Sequence, residues 1–244
     1  MYEQKGLIDI HCHILPGIDD GAQNEKESFK MFRMAADAGI REMIATPHFH
    51  YKRGNAKPAK VKELAVKMQE RLDEMEIPIR LHSGNELYYS HSLLDVVKAG
   101  EALTMADSDY VLLEFSPEAE RRKIQNAVYH FLCEGYNPII AHVERYRAFL
   151  KHSDFSDEIS RMGAYLQVNA GSITGGAGWK IQHFSKTLAK KGYVSFMATD
   201  AHDLKKRTPQ FGKSLSWIED KLGRECLWEM TAGNPEKILS NKTI

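Results

Sequence analysis

Seven short apolar runs recur along this chain of 244 residues, and segments with helical character separate them. The runs are rich in β-branched residues, which is typical of strands, and they cover residues 7–12, 42–46, 79–84, 110–115, 138–143, 165–170 and 194–199. Strand, helix and strand in succession, about thirty residues per repeat, predict parallel strands joined by right-handed crossovers. We therefore expect an α/β sheet or barrel.

The segments between the runs carry helix signals. Asn24 followed by Glu27 predicts an N-cap and its box partner, and Gly39 supplies a C-terminal stop. The clearest helix ends at Gly135, and its single apolar stripe consists of Ile124, Ala127, Val128, Phe131 and Leu132.

No linker rich in proline or serine divides the chain, so residues 1–244 are predicted to form one domain. Two segments, 52–60 and 171–179, have the composition of loops. The glycines of the second segment do not match a phosphate-binding GxGxxG pattern and do not open a nucleotide-binding unit. We expect a loop beside an active site here rather than a cofactor cradle.

Composition excludes several classes of partner. Lysine plus arginine equals aspartate plus glutamate at 33 each, so no global field attracts nucleic acid or an anionic membrane. No apolar stretch approaches the roughly 20 residues of a membrane span, and the first residues lack the apolar core of a signal peptide. We expect a cytoplasmic protein without membrane insertion.

The cysteines argue against thiol chemistry. Cys12, Cys133 and Cys226 are widely spaced and form no CxxC pair, which fits a reducing compartment. A cysteine-based phosphatase also needs an arginine six residues after its nucleophile, and this chain has none at those positions.

The motif DIHCH, residues 9–13, contains the first candidate metal ligands. Side chains alternate along a strand, so His11 and His13 should project to one side while Cys12 points away. Paired histidines in a strand can also be packed core residues, and only the rest of the chain decides between the two interpretations.

Metal-binding residue types follow almost every predicted strand. In parallel α/β folds, the loops after the carboxyl ends of the strands meet on one rim, where ligands bind. The candidates on that rim are His11, His13, Asp20, His48, Glu86, Glu114, His142, Asp200 and His202. Scattered histidines would not follow this pattern, which therefore indicates a metal site.

These residues stand in motifs that resemble a known family. DIHCHILPGIDDG, TPHFH, NEL, LLEF, AHVERY and TDAH are similar, in this order, to the motifs of the PHP (polymerase and histidinol phosphatase) superfamily. They most resemble its bacterial manganese-dependent protein tyrosine phosphatases, the regulators of capsule and exopolysaccharide synthesis. The resemblance runs from about residue 7 to residue 207. Val143, Thr199 and Asn85 depart from the usual pattern, but none of the three removes a ligand.

The resemblance implies a distorted (β/α)7 TIM-like barrel that holds three divalent metal ions. It implies that the first ion is bound by His11, His13, Glu86 and Asp200. Glu86 would bridge to a second ion, which is also bound by Glu114 and His142. The third ion would be bound by Asp20, His48 and His202. Arg145 and Arg207 resemble the arginines that orient the phosphate, a role that suits the planar fork of guanidinium.

The donor set agrees with phosphate chemistry. Imidazole and carboxylate ligands without thiolate suit Mn(II), Fe or Zn, and the resemblance favours Mn(II). Adjacent divalent ions can bind a phosphate and activate water as the nucleophile. We therefore expect a protein tyrosine phosphatase whose substrate is the C-terminal tail of a bacterial tyrosine kinase. Two alternatives stay open: a histidinol phosphatase or other small phosphomonoesterase, and a non-catalytic PHP binding module.

Several further residues are assigned roles beside the ligands. Asp9 is interpreted as a residue that orients a ligand imidazole, and the same role is assigned to Glu144. His50 is a candidate substrate contact on the loop that follows His48. The aromatic residues Phe49, Tyr51 and Tyr88 are candidates for a wall against a phenyl ring.

Overall fold

The computed structural model describes residues 6–51, 57–152 and 154–244. Within them the strands are β1 (Leu7–Cys12), β2 (Ile40–Ala45), β3 (His48–Phe49), β4 (Arg80–Ser83), β5 (Glu86–Tyr88), β6 (Tyr110–Glu114), β7 (Asn137–Ile140), β8 (Tyr165–Asn169) and β9 (Phe196–Ala198). The helices are α1 (Glu25–Asp37), α2 (Pro58–Glu74), α3 (Leu93–Lys98), α4 (Arg121–Cys133), α5 (Arg147–Lys151), α6 (Phe155–Arg161), α7 (Ala170–Thr174), α8 (Trp179–Lys190), α9 (Lys213–Leu222), α10 (Arg224–Trp228) and α11 (Asn234–Leu239). Two 3₁₀ turns, Met105–Asp107 and Val143–Arg145, and the π-helical Glu229–Gly233 are also present.

The strands pair in parallel in two ladders, β1-β2-β4 and β3-β5-β6-β7-β8-β9. β3 follows β2 after two residues, and β5 follows β4 in the same way. A bridge between Cys12 and Ala201 connects the end of β1 to the segment after β9. The prediction of an α/β fold with parallel strands is confirmed. The count of seven strand units stays a prediction, because the described residues form nine strands in two ladders.

All seven predicted runs overlap strands. The short strands β3 and β5 were not predicted, because each lies directly behind a longer run and is only two or three residues long. The predicted start of α1 is confirmed, since the Asn24 side chain accepts a hydrogen bond from the amide of Glu27 at 3.0 Å. The Glu27 carboxylate accepts from the amide of Gln23 instead of returning to Asn24, so half of the capping box forms.

The two predicted loops need correction. Residues 52–56 of the first lie outside the described residues, while residues 58–60 are helical, with Pro58 at the first position of α2, where its missing amide proton costs nothing. In the second, residues 171–174 belong to α7 and Trp179 begins α8. Ile173 is buried in the core, and this packing overrides the low helix propensity of its neighbour Gly171.

Apolar side chains form two clusters on the two faces of the strands. The helix-side cluster packs the inner faces of the helices, such as Phe32, Met68 and Phe131, against the strands. The inner cluster occupies the other face and consists of Ile8, Ile10, Ile44, Met105, Tyr110, Leu112, Ile139, Ala141, Phe196, Ala198 and Ile238. The C-terminal segment covers this inner cluster, because Ile238 joins it and the Tyr110 hydroxyl donates to the carbonyl of Lys242 at 2.7 Å.

Strand β1 is irregular at the point where the histidines begin. Ile8 and Ile10 belong to the inner cluster but Cys12 belongs to the helix-side cluster, although regular alternation would place all three on one face. The pairing of β1 with β2 shifts register between Asp9 and Cys12. Such a bulge redirects the side chains that follow it. The bulge in β1 brings His11 and His13 to the same face as the inner cluster.

Candidate metal centre

The candidate ligands continue the inward rows of the strands. Tyr110 and Leu112 belong to the inner cluster, and Glu114 follows them on the same face of β6. Glu86 on β5 pairs directly with Leu112 and therefore also faces inward. Asp200 lies two residues after Ala198, the last residue of β9, and its direction is set by its backbone geometry. The polar layer thus lies directly on the apolar one, at the carboxyl ends of the strands.

Unusual backbone geometry helps to aim two of these side chains. His142 (φ 30°) and Asp200 (φ 52°) adopt the left-handed conformation, which costs a non-glycine residue about 1 kcal/mol or more. Hydrogen bonds maintain both: the His142 amide donates to Gln167 Oε1 at 2.8 Å, and the Asp200 amide donates to the His11 carbonyl at 2.8 Å. Gly21 is required for a close approach, because a Cβ there would lie 2.0 Å from the carbonyl oxygen of His13.

The deepest part of the centre contains two histidines and two carboxylates. The Nε2 atoms of His11 and His13 lie 3.3 Å apart, which confirms that they share a face. Glu86 Oε2 lies 3.4 Å and 3.3 Å from these two nitrogens, and Asp200 Oδ1 lies 3.5 Å and 3.6 Å from them. His142 Nε2 lies 2.7 Å from the other oxygen of Glu86.

A more exposed part adjoins it. Asp20 Oδ1 lies 3.3 Å from His48 Nε2 and 3.4 Å from His202 Nε2. Glu114 Oε2 lies 3.7 Å from His48 Nδ1. The nine predicted residues therefore come together. Among the described residues they form four overlapping groups able to hold a metal ion, namely His13 with Asp20, His48 and His202; His11 with His142 and Asp200; His11 with His13 and Glu86; and His48 with Glu86 and Glu114.

The polar atoms of this centre fit a bound cation. Glu86 Oε2, Asp200 Oδ1 and His202 Nε2 are buried, and none of them forms a well-aligned hydrogen bond with a described residue. Buried polar atoms in folded proteins almost always have such partners. Divalent ions with oxygen and nitrogen ligands would supply the missing contacts, and the donors are of the types that Mn(II), Fe and Zn accept.

The carboxylates of the centre differ in protonation. Burial opposes the ionisation of Glu86, but His11, His13 and His142 hold its pKa well below the usual value. The pKa of Asp200 is likewise lowered, against the effect of burial, by His11 and Arg145. Burial and the negative charge of Glu86 raise the pKa of Glu114 to about 7. Negative charge is thus concentrated on Glu86 and Asp200.

The histidines differ in the same way. Burial alone would lower the pKa of His13, but the carboxylates of Asp19 and Glu86 raise it to about 10. The pKa of His202 falls to about 3 because of its burial and the positive charge of His13. Without metal, protons on imidazole therefore balance the buried carboxylates, which is the charge that divalent cations would otherwise supply.

Asp19 is a functional residue that the sequence reasoning missed. Its Oδ2 lies 2.7 Å from His13 Nδ1 and also accepts from the amide of His48 at 3.1 Å. An Nδ1–H bonded to this carboxylate leaves the Nε2 lone pair of His13 directed at the centre. The Asp19-Asp20 pair was visible in the sequence, but only its second member was selected.

Gln167 and Asn169 on β8 were also missed. Gln167 Oε1 lies 3.1 Å from His11 Nδ1, and its Nε2 donates to Asn169 Oδ1 at 2.8 Å. Asn169 Nδ2 in turn donates to Asp200 Oδ2 at 2.7 Å. The alternating polar residues at the end of this run were the available signal. They were overlooked because amides are weaker metal-ligand candidates than the histidines and carboxylates elsewhere.

The roles predicted for Asp9 and Glu144 are wrong. Asp9 does not orient an imidazole ring: its carboxylate accepts hydrogen bonds from the hydroxyl of Thr199 at 2.5 Å and the amide of Thr199 at 3.0 Å, and one from the amide of His11. It connects β1 to the segment that carries Asp200, and burial raises its pKa to about 6. Glu144 accepts from the amide of Asn169 at 2.9 Å rather than from a ligand ring.

Both predicted arginines reach the centre. Arg145 contacts Asp200 Oδ2 at 2.7 Å, and Arg207 contacts Asp200 Oδ1 at 2.5 Å. Each side chain is still more than a third exposed, and both arginines line one pocket beside the centre. The rings of His50 and Tyr88 stack with their centroids 4.8 Å apart.

The cysteine nearest the centre is chemically inert. Cys12 is fully buried in the helix-side cluster, and its thiol donates to the carbonyl of Ile44 at 3.5 Å. Burial raises its pKa well above the ordinary thiol value, so it is not a thiolate near neutral pH.

The described part of the chain contains no helix that is both long enough and apolar enough to cross a membrane.

Comparisons with known proteins agree with this centre. Residues 7–240 match the model of a family described as capsular polysaccharide synthesis, CpsB/CapC. The chain is 35% identical to the tyrosine-protein phosphatase YwqE of Bacillus subtilis, over 98% of this chain and 93% of YwqE. It is 28% identical to the tyrosine-protein phosphatase CpsB of Streptococcus pneumoniae, over 98% of this chain and all of CpsB.

A solved structure is similar over the same extent. It comes from a study of YwqE and CpsB that describes them as unique metal-dependent tyrosine phosphatases. It superposes on this chain with a TM-score of 0.92 at 34% identity, and covers 97% of this chain and 96% of the solved one.

Proposed function

Because this chain belongs to the CpsB/CapC family of capsular polysaccharide synthesis proteins, we propose that it is a metal-dependent protein tyrosine phosphatase. The observation that carries this function is the convergence of nine histidine and carboxylate side chains in overlapping groups, each able to hold a metal ion. Relatives of nearly the same length are named tyrosine-protein phosphatases, which supports phosphotyrosine in proteins as the substrate.

We assign the nine side chains to three divalent ions, with Mn(II) as the favoured metal and Fe or Zn as alternatives. His11, His13, Glu86 and Asp200 would hold the first ion. Glu86 with Glu114 and His142 would hold the second. Asp20, His48 and His202 would hold the third, and His13 lies within reach of this group as well.

When bound, the ions would supply an activated water as nucleophile and positive charge for the leaving oxygen. The residues of this chain prepare the site for that chemistry. Asp19 holds the ring of His13 in one tautomer, and Gln167 does the same for His11 through its Nδ1. Arg145 and Arg207 are placed to bind two phosphate oxygens and to keep the phosphoryl group in line.

The finer fold assignment is also a proposal. The order of the ladders, with β2 continued by β3 and β4 continued by β5, supports seven strand units in one distorted (β/α)7 barrel formed by residues 1–244 as a single domain. The bridge from Cys12 to Ala201 supports closure between the first and the last unit.

For the physiological substrate we propose the C-terminal tail of a bacterial tyrosine kinase that controls capsule or exopolysaccharide synthesis. The family description supports the capsule context. A flexible tail can insert a phosphotyrosine into a centre at the ends of the strands while the rest of the kinase stays outside.

A turnover assay tests the function and its alternatives. p-Nitrophenyl phosphate, a phosphotyrosine peptide, a phosphoserine peptide and histidinol phosphate are compared with Mn(II) and after chelation. We expect kcat/KM for the phosphotyrosine peptide to exceed that for phosphoserine or histidinol phosphate at least about tenfold, or about 1.4 kcal/mol. Histidinol phosphate as the best substrate would move the assignment to a small phosphomonoesterase. No turnover of any ester by fully loaded protein would favour a non-catalytic binding module.

A further inference from the structure

A groove with a volume of about 600 Å³ opens beside the metal centre. Arg145 and Arg207, which contact Asp200, are part of its lining. Two wall segments, residues 171–177 and residues 206–213, supply most of the rest of the lining. Its volume is within the range of ligand-binding pockets, and the phosphate chemistry proposed above uses only the two arginines.

The side chains of the groove are strongly cationic. Lys206 and Lys213 add their charges to those of the two arginines, and Asp203 is the single carboxylate in the lining. Asp203 Oδ1 already accepts hydrogen bonds from the amides of Lys205 and Lys206, both at 2.6 Å, so it is tied to its own loop. The lining therefore has three more positive than negative charges, in a chain whose formal net charge is zero.

Four exposed lysines of the described residues form ion pairs with carboxylates, whereas Lys206 and Lys213 do not. Lys62, Lys67 and Lys98 each form an ion pair with a carboxylate at 2.8 Å or less. Lys206 and Lys213 are exposed, and neither forms an ion pair within the parts of the chain that the structure describes. Two uncompensated cations at the walls of one groove are suited to an anionic ligand that comes from solution.

We propose that this groove, the Lys206–Lys213 groove, binds the peptide next to the phosphotyrosine and selects substrates with acidic side chains there. The inference rests on the proposed function, because the groove leads into a phosphate site only if the centre binds the phosphoryl group. An extended peptide advances about 3.3 Å per residue, so the proposal assigns Lys206 and Lys213 to acidic residues one to three positions from the phosphotyrosine. The small and polar residues of the 171–177 wall leave room for the peptide backbone.

The experiment compares three phosphotyrosine peptides of equal length with Mn(II)-loaded protein. One has neutral flanks, one has aspartates at the three positions before the phosphotyrosine, and one has them at the three positions after it. We expect at least one acidic peptide to have a kcat/KM at least about fivefold above that of the neutral peptide, because each exposed charge pair contributes a factor of up to about five. The gain should appear mainly in KM and should shrink at high salt.

In the double variant Lys206→Ala/Lys213→Ala, the kcat/KM for the acidic peptide divided by that for the neutral peptide should fall to within about twofold of one. The ratio cancels any effect that the variant has on the centre itself. The matched control, Lys190→Ala/Lys191→Ala, removes two exposed lysines where α8 ends before β9, and it should retain the ratio of the wild type. A ratio near one in the wild type, or an unchanged ratio in the groove variant, would overturn the inference.

Binding separates this inference from the proposed function. If no phosphotyrosine peptide is hydrolysed, the proposed function fails, but fluorescence anisotropy with the same labelled peptides still tests the groove. Tighter binding of an acidic peptide, lost in the groove variant and retained in the control, supports the groove. Equal binding of acidic and neutral peptides refutes it.

Discussion

Two neighbouring layers of the same strands differ in almost every physical respect. In the inner cluster, Leu112 and Ala198 are fully buried and apolar. Two residues further along the chain, Glu114 and Asp200 belong to a layer of charged groups with shifted pKa values. That layer also contains left-handed backbone and buried atoms without well-aligned hydrogen bonds. A single step of strand periodicity therefore separates the part that stabilises the fold from the part that carries the chemistry.

The apolar layer offsets the free-energy cost of burying the charges of the polar layer. Burying charge costs free energy unless the charge is paired and hydrogen-bonded, and the left-handed residues add strain. The apolar clusters below and around the centre offset that cost, and bound cations would remove much of it. Substitutions in the two layers should therefore have opposite signatures: those in the polar layer remove activity, and those in the apolar layer remove stability.

The largest effect is expected for Glu86→Gln, which removes a charge shared by several candidate ligands. We expect kcat/KM on p-nitrophenyl phosphate to fall at least about a thousandfold, because lost metal removes both nucleophile and charge stabilisation. The melting temperature of the chelated protein should fall only modestly, because the neighbouring histidines can release their protons once the carboxylate charge is gone. The control His130→Ala, an exposed histidine on α4, should be close to wild type in both respects. A loss within tenfold for Glu86→Gln would refute the ligand assignment.

Leu112→Ala should show the reverse signature. This side chain is fully buried in the inner cluster, and its truncation leaves a cavity that costs about 2–5 kcal/mol of the free energy of unfolding. Urea denaturation of the chelated protein measures that loss, and the metal-loaded variant should retain kcat/KM within about tenfold. Val66→Ala, at a position that is 60% exposed, serves as the control. Similar losses of activity for Leu112→Ala and Glu86→Gln would mean that the two layers are not separable.

The sequence predicted the residues of both layers better than their geometry. Each strand run and each of the nine candidate ligands could be predicted from the sequence, because periodicity and residue chemistry are local properties. The sequence did not predict the bulge in β1, the interruption between β2 and β3, or the partners Asp19 and Gln167. These depend on contacts between distant segments, such as Gln167 with His11, and a strand pattern carries no information about register.

Arg145→Ala tests the open side of the polar layer. The side chain contacts Asp200 and faces the groove, so its loss should remove a phosphate contact without removing a metal ligand. We expect kcat/KM to fall about tenfold to a hundredfold, or about 1.4–2.7 kcal/mol, while elemental analysis shows unchanged metal content. Arg147→Ala, on α5 and paired with Glu118, is the matched control and should change kcat/KM less than twofold. Loss of metal from the Arg145 variant would contradict a role toward phosphate.

Proton release on metal binding tests the charge balance of the polar layer. In the metal-free protein the pKa of His13 is raised to about 10, so its ring is protonated near neutral pH and must lose a proton to bind an ion. For this group alone, the stabilisation of the metal-free fold is complete below about pH 6.5 and is lost as the pH rises through about 10. Titration of chelated protein with Mn(II) in weak buffer should release about one proton or more per molecule. Asp19→Asn should reduce the release, because it removes one cause of the raised pKa; metal binding without proton release would contradict this balance.

The smallest effect is expected for Cys12→Ser, which lies in sequence between two candidate ligands but in space on the other side of the strand. Its thiol is buried in the helix-side cluster and donates to the carbonyl of Ile44, a contact that a serine hydroxyl can also make. We expect a loss of about 1 kcal/mol in the free energy of unfolding, from placing a more polar group among apolar neighbours, and a change in kcat/KM of less than threefold. Thiol-alkylating reagents should leave the metal-loaded wild type active. If Cys12→Ser lost several orders of magnitude of activity while folded and fully metal-loaded, the nucleophile would be the thiol, and the apolar side of β1 would belong to the chemistry after all.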